Sequence, residues 1–257
     1  MKISVHVGLL TLLLLTCTVR PFLASAQETA AQPRGALTAE EVVDRLVRNN
    51  LERSRALGAY RGTRIYRLEY RGFPGSRKAE MVVDVKYQSS PLAKEFTIRS
   101  QTGSKLILDR VFKKALQSEQ EALSDENQKR IALNHENYKF ALAGWESATS
   151  GSRYILSVEP RNKNKFLYRG RIWVDADDFA VVRMEGEPAK NPSFWIKDTK
   201  IKQSYGKVSD FWLPESNRSV TAVRLGGHAD FSIDYQNYQI TAATPVNKPE
   251  KPGGDPR

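Results

Sequence analysis

Residues 168–187 read Tyr168-Arg169-Gly170-Arg171-Ile172-Trp173-Val174-Asp175-Ala176-Asp177-Asp178-Phe179-Ala180-Val181-Val182-Arg183-Met184-Glu185-Gly186-Glu187. Tyr168, Ile172 and Val174, with Phe166 before them, fall on one side of an extended chain. Ala176-Asp177-Asp178 follows, then a second extended run, Phe179–Glu187, that ends in charge. Side chains alternate across a strand with a period of two, and Asp tolerates turn conformations, so this is a strand–turn–strand hairpin. The same grammar extends on both sides. Asn162-Lys163-Asn164 turns between Tyr154–Pro160 and Lys165–Asp175, and Gly206-Lys207 and Gly226-Gly227 separate three further strands, the last reaching Ile240. Short connections select hairpins, so the C-terminal half is an antiparallel meander.

The N-terminal half begins differently. Thr38-Ala39-Glu40-Glu41 matches a capping box. Val42, Val43, Leu46, Val47 and Leu51 follow at helical spacing, with Gly58 as a stop signal. Period two then takes over. Tyr66, Leu68 and Tyr70 oppose Arg67 and Glu69; Phe73-Pro74-Gly75-Ser76 turns the chain; Met81, Val83, Val85 and Tyr87 oppose Glu80, Asp84 and Lys86; Phe96 and Ile98 mark a third strand. Leu108, Val111, Phe112, Ala115 and Leu116 return to helical spacing, and this helix can run to Leu123. Ser124–Asn137 reads as a loop or short helix before strand pattern resumes at Tyr138, Phe140 and Leu142.

The expected fold is α+β. A large curved antiparallel sheet of nine or ten strands, an incomplete β-barrel, carries an N-terminal helix and a central helical insert on its concave face. The helices interrupt the strands rather than alternating with them, which excludes a parallel doubly wound sheet. A sheet this wide curls rather than staying flat.

The ends read separately. Lys2 precedes an uncharged run to Val19 centred on Leu9-Leu10-Thr11-Leu12-Leu13-Leu14-Leu15, and Ala24-Ser25-Ala26 supplies an A-x-A spacing. Residues 1–26 are a secretory signal peptide with cleavage expected after Ala26. A membrane span needs ~20 apolar residues to cross ~30 Å of hydrocarbon; this run is short and ends at Arg20-Pro21. The alternatives are an uncleaved anchor and a lipid anchor through Cys17, before which Thr16 fits a lipobox poorly. Residues 27–36 are a polar, disordered leader, 37–240 the folded domain, and 241–257 a Pro/Lys-rich disordered tail. The expected location is the periplasm.

Composition then excludes most chemistry. The chain has 40 Lys+Arg against 29 Asp+Glu, a formal charge of +11, one cysteine and three histidines. Removing the signal takes away Lys2, Arg20, His6 and Cys17. No thiol remains for catalysis or thiolate metal binding. His135 and His228 have no metal-ligand spacing: His135-Glu136 begins an H-E-x-x-H motif whose second histidine is absent. There is no G-x-S-x-G elbow, no P-loop and no G-x-G-x-x-G. Asp175, Asp177 and Asp178 lack the glycine and distal glutamate of a calcium loop and read as a turn. No catalytic residue, metal or cofactor is expected, and the chain reads as not an enzyme.

The basic residues fall on strands. Arg61, Arg64, Arg67 and Arg71 run along the first strand and its approach, and Lys197, Lys200, Lys202 and Lys207 along a C-terminal pair. Aromatics nearby make a basic–aromatic surface of the kind that binds single-stranded nucleic acid, but an exported protein meets little of it. The reading is the solvated outside of a sheet, which suits an anionic membrane surface, with no nucleic-acid partner. The larger signal is apolar. Tyr66, Leu68, Met81, Val83, Val85, Phe96 and Ile98, the helical Val111 and Phe112, and Ile172, Val174, Phe231, Ile233 and Tyr235 are the candidate lining of a concave site for an acyl chain. For any one of them a plain helix-on-sheet core is the first reading; the acyl-chain site is a reading of the face as a whole.

Three segments carry a family likeness: Gly170-Arg171-Ile172-Trp173-Val174-Asp175, Val182-Arg183-Met184-Glu185-Gly186, and Tyr205-Gly206-Lys207-Val208-Ser209-Asp210-Phe211-Trp212-Leu213-Pro214. Together they resemble the G-x-I-W-V-D … R-x-E … Y … F-W-L-P pattern of bacterial outer-membrane lipoprotein-sorting proteins. That is the LolA/LolB-like superfamily, which also includes the sensor domain of RseB-type regulators. The resemblance spans about Leu37–Ile240, in detail only over the last third. It implies an incomplete barrel lidded by helices, an apolar cavity holding the acyl chains of lipids or lipoproteins, and no enzyme activity; the chain is expected to be a monomer. It also implies an alternative on the same fold, a sensor, regulatory or scaffold protein acting through protein–protein contact.

Overall fold

The computed structural model describes residues 37–148, 151–163, 166–190, 196–224 and 226–243. The expected signal peptide, the expected leader and most of the expected tail lie outside the described residues. Helix α1 spans Ala39–Ala56 and is followed by strands β1 (Leu57–Arg71), β2 (Arg77–Ser89) and β3 (Leu92–Gly103). A helical insert comes next: α2 (Lys105–Ile107), a π-helical turn (Leu108–Phe112), α3 (Lys113–Glu121) and α4 (Asp125–Ile131). Seven strands complete the chain: β4 (Tyr138–Ala148), β5 (Gly151–Pro160), β6 (Tyr168–Asp175), β7 (Val181–Pro188), β8 (Ile196–Val208), β9 (Phe211–Val223) and β10 (His228–Ala242).

The ten strands form one sheet in the order β3-β2-β1-β10-β9-β8-β7-β6-β5-β4. Every pairing is antiparallel. The sheet is an α+β sheet with two free edges, β3 and β4, and does not close into a barrel. All neighbours are sequence-adjacent hairpins except β1–β10, which joins the two ends of the domain.

Local chemistry explains the elements. The capping box forms: the Thr38 hydroxyl accepts from Glu41 N at 3.2 Å, and the Glu41 carboxylate accepts from Thr38 N at 2.7 Å. Helix α1 ends at Ala56, and Gly58 is already a strand residue; a Cβ there would lie 2.8 Å from the Ala242 carbonyl oxygen. Gly58 therefore serves close approach of β10 rather than helix termination. The Asp-rich turn between β6 and β7 is an Asx turn. The Asp175 carboxylate accepts from Asp177 N at 3.1 Å and Asp178 N at 2.9 Å. Gly206-Lys207, expected as a turn, lies inside β8, and the chain reverses at Ser209-Asp210 instead. The loop-or-helix segment after Leu123 contains α4, whose Ser124 N-cap hydroxyl accepts from Asn127 N.

The two helical pieces cover opposite ends of the concave face. Helix α1 buries Val42, Val43 and Leu46 against Tyr138, Tyr154, Leu156, Ile172 and Val174, on β4, β5 and β6. The insert buries Ile107, Leu108, Phe112 and Leu116 against Tyr66, Leu68, Met81, Val83 and Val85, on β1 and β2. Each half of the sheet is thus covered by a helix from elsewhere in the chain. Between the two clusters, β8 and β9 contribute polar pairs: the Thr199 and Thr221 hydroxyls bond at 3.0 Å, and Asn217 donates to Gln203 at 2.7 Å.

The clasp at the C-terminal end of α1 is polar as well. Arg53 donates to the carbonyls of Asp178 (2.8 Å) and Phe179 (3.0 Å), while the Asp178 carboxylate takes Lys207 Nζ at 2.6 Å and Trp212 Nε1 at 2.8 Å.

Candidate functional site

Strand β1 presents Tyr60, Arg64, Tyr66 and Leu68 to the concave side, all buried. Arg64 shares the parity of Tyr66 and Leu68, so period two carries it inward; its place is not the solvated exterior expected of the basic residues on this strand. It is only 5% exposed. The guanidinium forms a two-point pair with the Glu119 carboxylate, Nη1 to Oε2 at 2.5 Å and Nη2 to Oε1 at 3.0 Å. Lys94 Nζ from β3 donates to the same carboxylate at 2.7 Å. The guanidinium lies over the rings of Tyr235 (5.0 Å) and Phe96 (5.7 Å) and reaches the Tyr66 hydroxyl at 3.3 Å.

Glu119 arrives from the insert. Phe112, Leu116 and Glu119 stand at spacings of four and three, one face of a helix. Phe112 and Leu116 are buried below, and the carboxylate closes the row over β1. Burial would raise the Glu119 pKa, but the bonds and charge of Arg64, with Lys94 adding to them, outweigh burial and hold it at about 2. Burial alone would lower Arg64, yet Glu119 raises it above the ordinary arginine value. Burial also pushes the Tyr66, Tyr235 and Tyr238 hydroxyls above the usual tyrosine range, so these rings are neutral.

The result is an aromatic floor under a helical cover. Phe112 packs tilted against Tyr66 (5.9 Å between centroids) and Phe231 (6.1 Å), and Tyr60 stacks on Tyr87 at 5.0 Å. The cover is interrupted: Lys113 N bonds back to Leu108 O, a five-residue π turn inside an otherwise short helix. Its side-chain fastening to the sheet is the Arg64–Glu119–Lys94 triad.

The candidate lining divides. Tyr66, Leu68, Met81, Val83, Val85 and Phe112 are buried together in the cluster under the insert, and Phe96, Val111, Phe231 and Ile233 pack against it. Tyr235 joins them through Arg64. Ile98, on edge strand β3, is 38% exposed. Ile172 and Val174 belong to the other cluster, beneath α1. The residues that sequence reading missed are Arg64, Lys94 and Glu119. The parity of Arg64 was the available signal; its partners, 30 and 55 positions along, carried none.

Among the described residues no three His, Cys, Asp or Glu side chains gather as for a metal, and no helix is long and apolar enough to cross a membrane. His135 faces Asp44 at 3.3 Å, and His228 stands opposite Arg71 on the β1–β10 ladder.

No protein-family profile and no curated protein sequence matches the chain. Solved structures do match in course of chain. One is a DUF1329 family protein from Desulfovibrio piger, 15% identical over 83% of this chain and 95% of that one, with a TM-score of 0.40. Another is an outer membrane lipoprotein-sorting protein domain from Vibrio parahaemolyticus, 11% identical over 81% and 96%, with a TM-score of 0.39. A LolA superfamily protein from Nitrosomonas europaea is 10% identical over 81% and 96%, with a TM-score of 0.34.

Proposed function

We propose that this chain is a non-enzymatic binding protein of the bacterial envelope that takes the acyl chain of a lipid or lipoprotein onto the concave face of β10, β1 and β2. The helical insert is its lid, and the protein works as a monomer without a cofactor. Residues 1–26 direct export, and 37–240 form the binding domain. One observation carries the reading: a broad aromatic and aliphatic surface is covered by a short helix, broken by a π turn and fastened through one ion triad. Displacing that cover exposes Tyr66, Met81, Val83, Val85 and Phe231 as one apolar surface, and burying an acyl chain there is favourable by roughly 0.8 kcal/mol per CH₂. The family pattern over residues 170–214 supports the same reading.

Native mass spectrometry of protein purified from the periplasm, paired with titration of a fluorescent fatty acid, tests it. The expected result is a lipid mass adduct and saturable uptake. Lipid-free protein that takes up no probe overturns it.

A second reading has its own observation. Met81, Val83 and Phe112 are fully buried by their neighbours, so with the lid down the face is a filled core. A sensor, regulatory or scaffold protein acting by protein–protein contact needs no more than that. Absence of probe uptake even after Glu119→Gln, which loosens the lid, favours this second reading.

A further inference from the structure

The outer face of the sheet carries a groove of about 710 Å³ over β6–β9, lined by Arg169, Arg171, Glu185, Glu187, Lys200, Lys202, Arg218 and Val220. Its walls are two neighbouring cross-strand rows. Arg171 stands opposite Glu185, Glu185 opposite Lys202, and Lys202 opposite Arg218. Arg169 stands opposite Glu187, and Lys200 opposite Val220.

Five basic side chains line this groove against two carboxylates. Both carboxylates are shared: Glu187 pairs with Lys200 at 2.9 Å and lies 3.8 Å from Arg169, and Glu185 pairs with Lys202 at 3.1 Å and lies 3.7 Å from Arg183. From outside the lining, Glu159 lies 3.9 Å from Arg169 and Asp198 3.8 Å from Lys200. Arg218 turns away to Asp234 on β10. Arg171 is exposed and, among the described residues, has no carboxylate partner. The Arg169 Nε is a buried donor without a hydrogen-bond acceptor. The two rows continue over β10, β1, β2 and β3 as a second groove of about 620 Å³, where the balance reverses: Glu69, Glu80 and Asp230 face Arg67 and Lys78.

We infer that the β6–β9 groove is a binding site for an extended acidic peptide segment, with Arg171 at its β6 end. The cations are spread over three strand spacings, ~14 Å at ~4.8 Å each, which matches four to five residues of extended chain at ~3.4 Å per residue. A single small anion would need donors converging on one point, and these are distributed along a line. A planar bilayer would meet the rims of the groove first, whereas one extended chain can follow its length. The inference does not depend on the acyl-chain reading, because the groove lies on the opposite side of the sheet from the lid.

The test is fluorescence anisotropy with a labelled hexaglutamate peptide at low ionic strength. Wild-type protein is expected to bind it saturably, to weaken as sodium chloride is raised, and not to bind hexalysine. Arg171→Glu is expected to weaken binding by about tenfold or more. Lys78→Glu in the second groove, reversing the same charge, is expected to leave it within about twofold. Circular dichroism checks that both exposed-site variants fold, and Arg171→Ala provides a milder change with the same direction. No binding to hexaglutamate, or equal weakening by Arg171→Glu and Lys78→Glu, overturns the site. Displacement by inorganic phosphate at an ionic strength where sodium chloride does not displace overturns the peptide class in favour of phosphate. Binding to phosphatidylcholine vesicles doped with phosphatidylglycerol, without peptide binding, overturns it in favour of a membrane.

Discussion

Arg64 and Glu119 are the residues on which most depends. Their pairing is offset by the cost of taking both charges from water, but removing one partner strands the other in an apolar site. Glu119→Ala is expected to destabilise the domain by about 3–5 kcal/mol in urea unfolding. The double change Arg64→Met with Glu119→Leu is expected to recover part of that loss, because the buried guanidinium goes with its partner and only Lys94, 12% exposed, is left without a carboxylate. A loss for the double variant as large as for Glu119→Ala would mean that the triad contributes net stability of its own. The pH dependence has a definite sign. Glu119 has an ordinary value of 4.5 and sits at about 2 in the folded protein. A carboxylate held below its unfolded value stabilises the fold above that value and loses the contribution as pH falls through the folded one. Wild-type stability from this group should therefore decline from about pH 4.5 toward pH 2. Glu119→Gln should flatten that part of an acid-unfolding profile.

At the scale of elements, strand parity is a sharp rule. Val83 is fully buried, whereas Asp84 points outward to Arg99 at 2.7 Å. Val83→Asp is expected to unfold the domain, since it buries an unpaired charge. Asp84→Ala should cost less than ~1 kcal/mol, as exposed pairs do. Comparable effects in a thermal melt would refute the face assignment. The insert is the least secured element: its segments are short and its axis is interrupted. Amide hydrogen exchange should open Lys105–Glu121 before the β1, β2 and β10 ladders. The elements also show what a sequence discloses. Alternation at Tyr66–Tyr70 and Met81–Tyr87, the Thr38–Glu41 capping box and the Asp175 turn are short-range signals, and each appears in the structure where it was expected. Gly206-Lys207 misled because a glycine inside a strand resembles a glycine at a turn. Arg64, Lys94 and Glu119 could not be read as a site, because they meet only after β1, β3 and α3 pack. Ile172 and Val174 could not be separated from Met81 and Val83 until the strand order set them at opposite ends of the sheet.

For the whole molecule, the two apolar clusters act as separate bodies joined by one sheet. Leu46 lies in one and Phe112 in the other, and both are fully buried. Leu46→Ala should cost about 2–5 kcal/mol and Phe112→Ala about 3–5 kcal/mol. With the polar pairs of β8 and β9 between them, the two costs should add to within ~0.5 kcal/mol in denaturant titrations. A larger discrepancy would show the clusters to be one cooperative core. The crossed covering has a consequence for biosynthesis. The ribosome delivers α1 first, at ~5–20 residues per second, yet its apolar stripe has no docking surface until the β4, β5 and β6 hairpins exist. Strand β1 likewise waits for β10, the last of the described strands. The core under α1 can close only once β6 and Ala189 have been made, and the core under the insert only once β10 supplies Phe231 and Ile233, so the core that holds the first strands made, β1 and β2, is the last to be completed.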